Sequence, residues 1–502
     1  MPVSNGLLYD TPVSDNIPGA QAMPSIPREA ILDTVPRSAL AATKKIVNLV
    51  PITTGVVGQN QTIQFLIPQR NLMKASSLYF KFQVKVPSTN PFSFSGALGS
   101  AAALINNITL QAGGVVLESL QNYHLWHNNV MSWAHQGNDE LAIEALCSGA
   151  KLGNSSTGQF AVNQAAAAKN YNQGTVGYSF DGTNVGGANT INPIFDETKQ
   201  FPGAELNAVF SIPILSGVFN PKESQLIPLQ FINGGILVTI QTNAVSKAFF
   251  EATSSSITNY EISNMELCYA EITPAPEYIL RIREEMMAGK MIKIECQSYQ
   301  QYNVASGRSV RQNFNVNLSS VSSIFWGRVF DADSTLTSKY FAGYGIDADP
   351  NTRFECYLDN VLLFNSPNQL NAMAVQVRQL QEALQSSVTD YAISPITIGR
   401  GNNDSYAAFP ALVLNQVPDG STIDGTMYTT NMLYGLSTKL FASNSTSMDG
   451  TPIGVLTLNF TMGNALGSTA SSSEASTNLW YVYVVYDYIY LVDATGSVSK
   501  NQ

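Results

Sequence analysis

One order of features occurs twice along this chain. The first copy opens on "KKIVNLVPITTGVV" (44–57) and the second on "KMIKIECQSYQQYNV" (290–304), both β in texture. Each continues as strand, tight turn, strand. "NITLQAGGVVLESL" (107–120) turns at Gly113-Gly114, and "FECYLDNVLLFNSPNQL" (354–370) turns at Asp359-Asn360. Such dipeptides suit the two-residue turns of β-hairpins. A helix is expected after each hairpin. Tyr123, Trp126, Val130 and Trp133 fall at 3-4-3 spacing in the first copy. Leu370, Met373, Val377, Leu380 and Leu384 do so in the second, with Ser366 as N-cap, Pro367 at the first helical position and Gln369 as capping-box partner.

The late halves also correspond. "IPILSGVFNPKESQLIPLQFINGGILVTIQT" (212–242) reads as strand, loop, and a strand after Gly235. "LYGLSTKLFASNSTSMDGTPIGVLTLNF" (433–460) has the same layout, with a strand after Gly454. The copies close on "ISNMELCYAEI" (262–272) and "LWYVYVVYDYIYLV" (479–492). Matching features lie about 245 residues apart early and about 219 apart late, so the first copy carries about 26 extra residues between its helix and its late strands.

Period-two alternation supports strands. Ile63, Phe65 and Ile67 alternate with Thr62, Gln64 and Leu66, and Leu78, Phe80, Phe82 and Val84 share one face. Each copy holds about eight strands, and eight antiparallel strands in two packed sheets make a jelly roll. The expected fold is all-β: two tandem eight-stranded antiparallel jelly rolls (β-sandwich barrels) with short helices and long loop insertions. Residues 1–42, with six prolines, read as an extended arm. The first jelly roll spans 43–275 with an insertion at about 137–206, a linker helix covers 276–290, the second roll spans 291–495, and 496–502 form a tail. Pro274 and Pro276 bound the linker at its start, and Gly289 closes its helix.

Composition narrows the function. Charged residues make up 12% of the chain, against about 25% in an average globular protein. Its polarity comes from Ser, Thr, Asn, Gln and Gly, which suits large surfaces that meet other protein. The net charge is −10, and residues 1–45 balance four acids against four bases. A neutral arm argues against packaging naked nucleic acid, and no direct sequence-specific nucleic-acid binding is expected. "MPVSNGLLYD" lacks the basic and apolar regions of a secretory signal, and no run of about 18 apolar residues suggests a spanning helix.

The segment 479–492 holds six aromatics, four valines and one charge, Asp487. Both its faces are apolar, so it should be covered on both sides. Its counterpart at 262–272 is more polar, with Glu266 and Glu271. The last strand is therefore expected to meet more than its own core. Trp480, Tyr481, Tyr483, Val485 and Ile489 are the predicted contacts to the neighbouring barrel or to another subunit, with tyrosine hydroxyls reaching polar partners. Trp126 and Trp133 are predicted to present the first helix to a barrel or a neighbour.

Signs of catalysis are weak. His124, His127 and His135 cluster, with Cys147 twelve residues on, but the uneven spacing is a poor zinc signature, and the residues read better as polar positions around an amphipathic helix. The widely spaced Cys147, Cys268, Cys296 and Cys356 read as free thiols. "DAD" at 331–333 and 347–349 lacks the rest of a calcium loop. "GYGIDA" (343–348) is followed by Asp349 and Pro350 where a helix should start, so it is no nucleotide loop. No G-x-S-x-G, HExxH or P-loop occurs. The chain is expected to be no enzyme and to hold no metal or cofactor.

Two tandem jelly rolls with loop insertions, a linker helix and an extended arm resemble the double-jelly-roll major capsid proteins. That lineage includes adenoviruses, tailless membrane-containing phages, virophages and polinton-like viruses. The virophage and polinton-like members look most similar. The resemblance spans roughly residues 43–495 and rests on layout rather than on a short motif. It implies a homotrimer whose barrels form a pseudo-hexagonal capsomer, tiling the icosahedral shell of a DNA virus. The arm and barrel bases would face inward, toward minor capsid proteins or an internal membrane, and the long loops outward. Partners would be the chain itself, neighbouring capsomers and penton proteins. The location would be the virion, assembled inside the host cell. Two other readings fit a tandem β-sandwich: a carbohydrate-binding or carbohydrate-active protein, and a viral vertex or spike protein.

Overall fold

The computed structural model describes residues 42–53, 55–87, 92–95, 100–130, 147–148, 206–220, 226–251, 257–304, 309–330, 353–363, 368–369, 373–387, 412–414, 427–429, 433–440, 450–461 and 478–501. Outside them lie residues 1–41 of the arm, nearly all of the 137–206 insertion, Trp133, His135, both Asp-Ala-Asp motifs and the 343–348 segment.

Eight longer strands build the first roll, β1 (Ala42–Leu49), β2 (Thr62–Ile67), β3 (Tyr79–Val86), β4 (Ile105–Ala112), β5 (Val115–Leu120), β6 (Leu206–Pro213), β7 (Ile236–Thr242) and β8 (Glu261–Pro274), joined by four strands of two or three residues at Leu72–Lys74, Phe92–Phe94, Leu226–Ile227 and Phe249–Glu251. They pair antiparallel as β6-β3-β8, with β1 also on β8, and as β2-β7-β4-β5. The alternation dictates this. Ile63, Phe65 and Ile67 of β2, Phe80, Phe82 and Val84 of β3, and Ile236, Val238 and Ile240 of β7 are buried, while their chain neighbours face outward. Phe65 meets Phe80 edge-on at 5.8 Å, joining the two sheets through their buried faces. Each fully buried side chain of this kind contributes about 1.5–3 kcal/mol.

The second roll repeats this pairing, with the equivalents of β2 and β3 fused into one strand and one extra strand at its end. Its strands are β9 (Ile292–Val304), β10 (Ser309–Phe330), β11 (Arg353–Leu358), β12 (Val361–Leu362), β13 (Leu433–Ser437), β14 (Thr451–Thr461), β15 (Asn478–Val492) and β16 (Val498–Asn501), with a ninth, two-residue strand at Asn368–Gln369 on β11. β10 does double duty. Its first half pairs with β14 as β2 pairs with β7, and its second half pairs with β15 and β13 as β3 pairs with β8 and β6. β9 lies on β15 as β1 lies on β8, and β14-β11-β12 repeats β7-β4-β5. The continuous β10 merges the two layers into one nine-stranded sheet, bent where its register shifts between Asn315 and Val321. Trp326, Phe354, Phe460 and Trp480 stack through this core, with centroids 4.1 Å apart for Trp326–Phe354 and 4.2 Å for Phe460–Trp480.

Both hairpin turns use paired positive φ: Gly113 and Gly114 at 55° and 82°, Asp359 and Asn360 at 48° and 67°. Between the rolls, α1 (Pro276–Met287) starts on its proline and ends where Gly289, at φ 86°, donates back to the Met286 carbonyl.

Four expectations need correction. The helix α2 (Met373–Ser387) begins later than its capping signals. Gln369 instead pairs with Arg353 in a short strand, because β11 offers a free edge there. The first helix is one turn at Tyr123–Leu125 continued as a π-helix over Trp126–Val130. Gly454 lies inside β14, not ahead of it. Finally, residues 498–501 of the expected tail form β16, hydrogen-bonded to the end of β15.

Candidate functional site

The two rolls belong to one compact unit, Lys44–Gln502, and meet along a buried seam. The first roll contributes the edge strand β5, the helical turn after it and the loop after β6. The second contributes β9, β15 and β16.

At one end Trp126 stacks on Tyr299 of β9 at 4.4 Å and meets Tyr483 of β15 edge-on at 5.2 Å. The Tyr483 hydroxyl donates to the Asn122 carbonyl at 2.9 Å, and the Asn122 amide donates to Gln301 of β9 at 2.9 Å. Asn122 reaches both because it turns the chain in the left-handed region, at φ 46°. Offset and edge-on pairs of this kind are worth about 0.5–1.5 kcal/mol each beyond their burial.

Further along, β5 carries a bulge. Leu110 opposes Glu118 and Gln111 opposes Val116, so Leu117 has no ladder partner on β4. The Leu117 carbonyl accepts the Tyr490 hydroxyl, and the Glu118 side chain points inward. Its carboxylate accepts the Ser216 hydroxyl and, at 3.1 Å, the Gly217 amide. Burial pushes the Glu118 carboxyl above its ordinary range, partly offset by those bonds and by the charge of Lys500. Lys500 of β16 donates to the Tyr486 hydroxyl at 3.0 Å and lies 4.5 Å over the Tyr488 ring. Burial lowers the lysine and raises the Cys296 thiol beside the same group. At the far end Asn233 donates its amide to the Gly496 carbonyl at 2.9 Å.

The predicted contact residues divide. Tyr483 lies in the seam. Trp480 stacks on Phe460 inside its own roll, and Tyr481 lies over Gly327 with its ring 5.7 Å from Tyr483. Val485 is buried opposite Tyr299, and Ile489 is half-buried between Glu295 and Asn501. Trp126 lies in the seam, whereas Trp133 is outside the described residues. Sequence reasoning missed Glu118, Ser216, Tyr488, Tyr490 and Lys500. Tyr488 and Tyr490 belong to the even positions of β15, whereas Tyr483 is odd. The strand therefore meets the first roll from both faces, through the hydroxyls of Tyr483 and Tyr490.

His124 and His127 are interior rather than arrayed around an exposed helix. Burial holds them neutral, at about 3 and about 4, and the Ser100 hydroxyl lies 3.2 Å from His127 Nδ1. Among the described residues no three His, Cys, Asp or Glu side chains come together as metal ligands. The four cysteines are free thiols.

No protein-family model matches the chain, and no curated protein matches it. Solved structures do. PBCV-1 VP54, as fitted into a reconstruction of the virophage Sputnik, matches with a TM-score of 0.53 at 11% identity, covering 93% of this chain and 98% of that one. The Sputnik virophage structure at 3.5 Å matches with a TM-score of 0.53 at 12% identity, covering 97% and 94%. The PBCV-1 capsid gives a TM-score of 0.53 at 10% identity, covering 93% and 98%. Across nearly its whole length, the chain has the double-jelly-roll fold of these viral capsid proteins.

Proposed function

We propose that the chain is a major capsid protein: a structural, non-enzymatic subunit whose homotrimer forms a pseudo-hexagonal tile of an icosahedral shell. The observation that carries this is the repeated strand pairing of two rolls within one compact unit. A tile with six similar sides needs two similar barrels from each of three chains. A solved structure that shares the fold over nearly the whole chain is described as a virus capsid, that of PBCV-1. The low charge and the aromatic seam suit a rigid building block. The chain would reside in the virion, touching neighbouring capsomers, penton and minor capsid proteins, with an internal membrane as a further surface.

Light scattering on the purified chain, with negative-stain microscopy, tests this. The expected result is hexagonal particles of three chain masses. A monomer at all concentrations would overturn it.

A further inference from the structure

Asn233-Gly234 lies in the turn ahead of β7, at the far end of the seam. Across this turn Gly235 donates its amide to the Ile232 carbonyl at 3.2 Å, and Gly234 takes φ 74° at the third position. Asn233 and Gly234 are exposed, and the Asn233 carboxamide makes no hydrogen bond among the described residues. A free carboxamide followed by a residue without a side chain lets the next backbone nitrogen approach its Cγ. Asn360 also sits in a tight turn, but there Val361 follows, and its branched side chain crowds the nitrogen. One contact restrains the Gly234 nitrogen. It donates to Gln69 Oε1 at 3.2 Å, and Gln69 is itself steadied by donating Nε2 to the Gln230 carbonyl at 3.2 Å. The nitrogen attacks only after losing its proton, so that hydrogen bond has to break first.

We infer that Asn233 is a site of spontaneous deamidation whose pace is set by Gln69. The Gly234 nitrogen gives up its proton and bonds to Asn233 Cγ, the Cγ–Nδ2 bond breaks, and ammonia leaves with that proton. Water then opens the five-membered succinimide at either carbonyl, leaving aspartate or isoaspartate. The product acts on the seam. The Asn233 amide donates to the Gly496 carbonyl, and a Cβ on Gly496 would stand 2.8 Å from the Phe231 carbonyl oxygen and 3.1 Å from Asn233 Cβ. Isoaspartate lengthens the main chain at this close-packed point. Either product also brings a carboxylate beside the 493–497 turn, where the Asp493 carboxylate already accepts the amides of Thr495 and Ser497 at 2.9 Å. The site follows from the geometry of the turn and does not rest on the capsid reading.

Peptide mapping by mass spectrometry reads this directly. The purified chain and its Gln69→Ala and Asn233→Gln variants are incubated at mildly alkaline pH, with a guanidinium-unfolded sample of the parent as reference. The folded parent should exchange amide for acid at Asn233, giving aspartyl and isoaspartyl peptides, more slowly than the unfolded sample. Gln69→Ala should convert about fivefold faster, the rate equivalent of one hydrogen bond, with unchanged far-ultraviolet circular dichroism. Asn233→Gln, whose longer side chain closes a ring far more slowly, should stay intact. Hydrogen exchange at Thr495 and Ser497 should quicken in the aged parent and not in aged Asn233→Gln. No conversion at Asn233 while the unfolded sample converts would overturn the site. Gln69→Ala converting at the parental rate would overturn the part given to Gln69. Unchanged exchange at Thr495 and Ser497 after full conversion would overturn the effect on the seam.

Discussion

Gly217 lies directly against the main chain of Gln297, from opposite sides of the seam. A Cβ on Gly217 would overlap the Gln297 carbonyl oxygen and stand 2.9 Å from the Tyr488 hydroxyl. Backbone cannot give way as the end of a side chain can, so Gly217→Ala should force the rolls apart. The expected cost is about 1–3 kcal/mol, the range for overpacking a well-filled interior. Hydrogen exchange should accelerate in β5 and β9 while β2 and β7, away from the seam, keep their protection. Unchanged exchange in β5 and β9 would mean the seam has slack here.

Tyr483 is fully buried between Trp126, Tyr299 and the Asn122 carbonyl. Tyr483→Phe removes one hydrogen bond and should cost about 1 kcal/mol. Tyr483→Asp removes the ring as well and buries a carboxylate, and should cost about 3–5 kcal/mol. The exposed Tyr278 on α1 is the control, where the same change should stay within about 0.5 kcal/mol. Urea unfolding of the three variants orders them. If Tyr483→Asp matched Tyr278→Asp, the aromatic seam would hold nothing together.

The turn at Asp359-Asn360 is pinned by its own first residue. The Asp359 carboxylate accepts the amides of Gly454 at 3.0 Å and Val455 at 2.6 Å. Asp359→Ala should cost about 1 kcal/mol and loosen the β11–β12 hairpin. Asp359→Asn, which keeps an acceptor and the left-handed preference, should recover most of that. Thermal melts of both variants check the order.

The turns were legible because their chemistry is local. Gly113-Gly114 and Asp359-Asn360 fit left-handed pairs wherever they occur, and alternation alone assigns Phe65 and Phe80 to an interior. The duplication was legible because hairpin, helix and closing strand recur in order. The seam was not, apart from Tyr483 and Trp126. Glu118 lies in "VVLESL", where its burial depends on a bulge that removes Leu117 from the ladder. Lys500 stands among residues that read as a tail, and only the closure of β15 against β16 brings it over Tyr488. The even and odd faces of β15 were separable by sequence, but that both reach the first roll, Tyr483 at Asn122 and Tyr490 at Leu117, depends on how the two rolls pack. A helix start at Ser366 failed for a similar reason: pairing of Gln369 with β11 outweighed a good capping signal.

Glu118 makes the seam respond to pH with a definite sign. Its folded-state affinity for a proton is raised by burial, despite the bonds from Ser216 and Gly217 and the nearby Lys500. A carboxyl raised on folding costs stability once it ionises. The cost begins as pH climbs past the ordinary glutamate range and is complete above the raised value. Lowering the pH from 8 toward 5 should thus relieve it. Other carboxylates complicate the raw curve: in Glu271, bonds from Asn71 and Lys45 and the charge of Arg70 outweigh burial and hold the group low, so its contribution fades on acidification. The readout is therefore the difference between the parent and Glu118→Gln, which keeps an acceptor for the Gly217 amide and cannot ionise. Glu118→Gln should be the more stable form at pH 8. Its advantage should shrink by at most about 1.4 kcal/mol per pH unit as the parent takes up its proton. Calorimetric melts at several pH values give the slope. Parallel curves for the two proteins would mean that Glu118 carries the same charge in the folded and the unfolded chain over this range and that the seam is indifferent to pH.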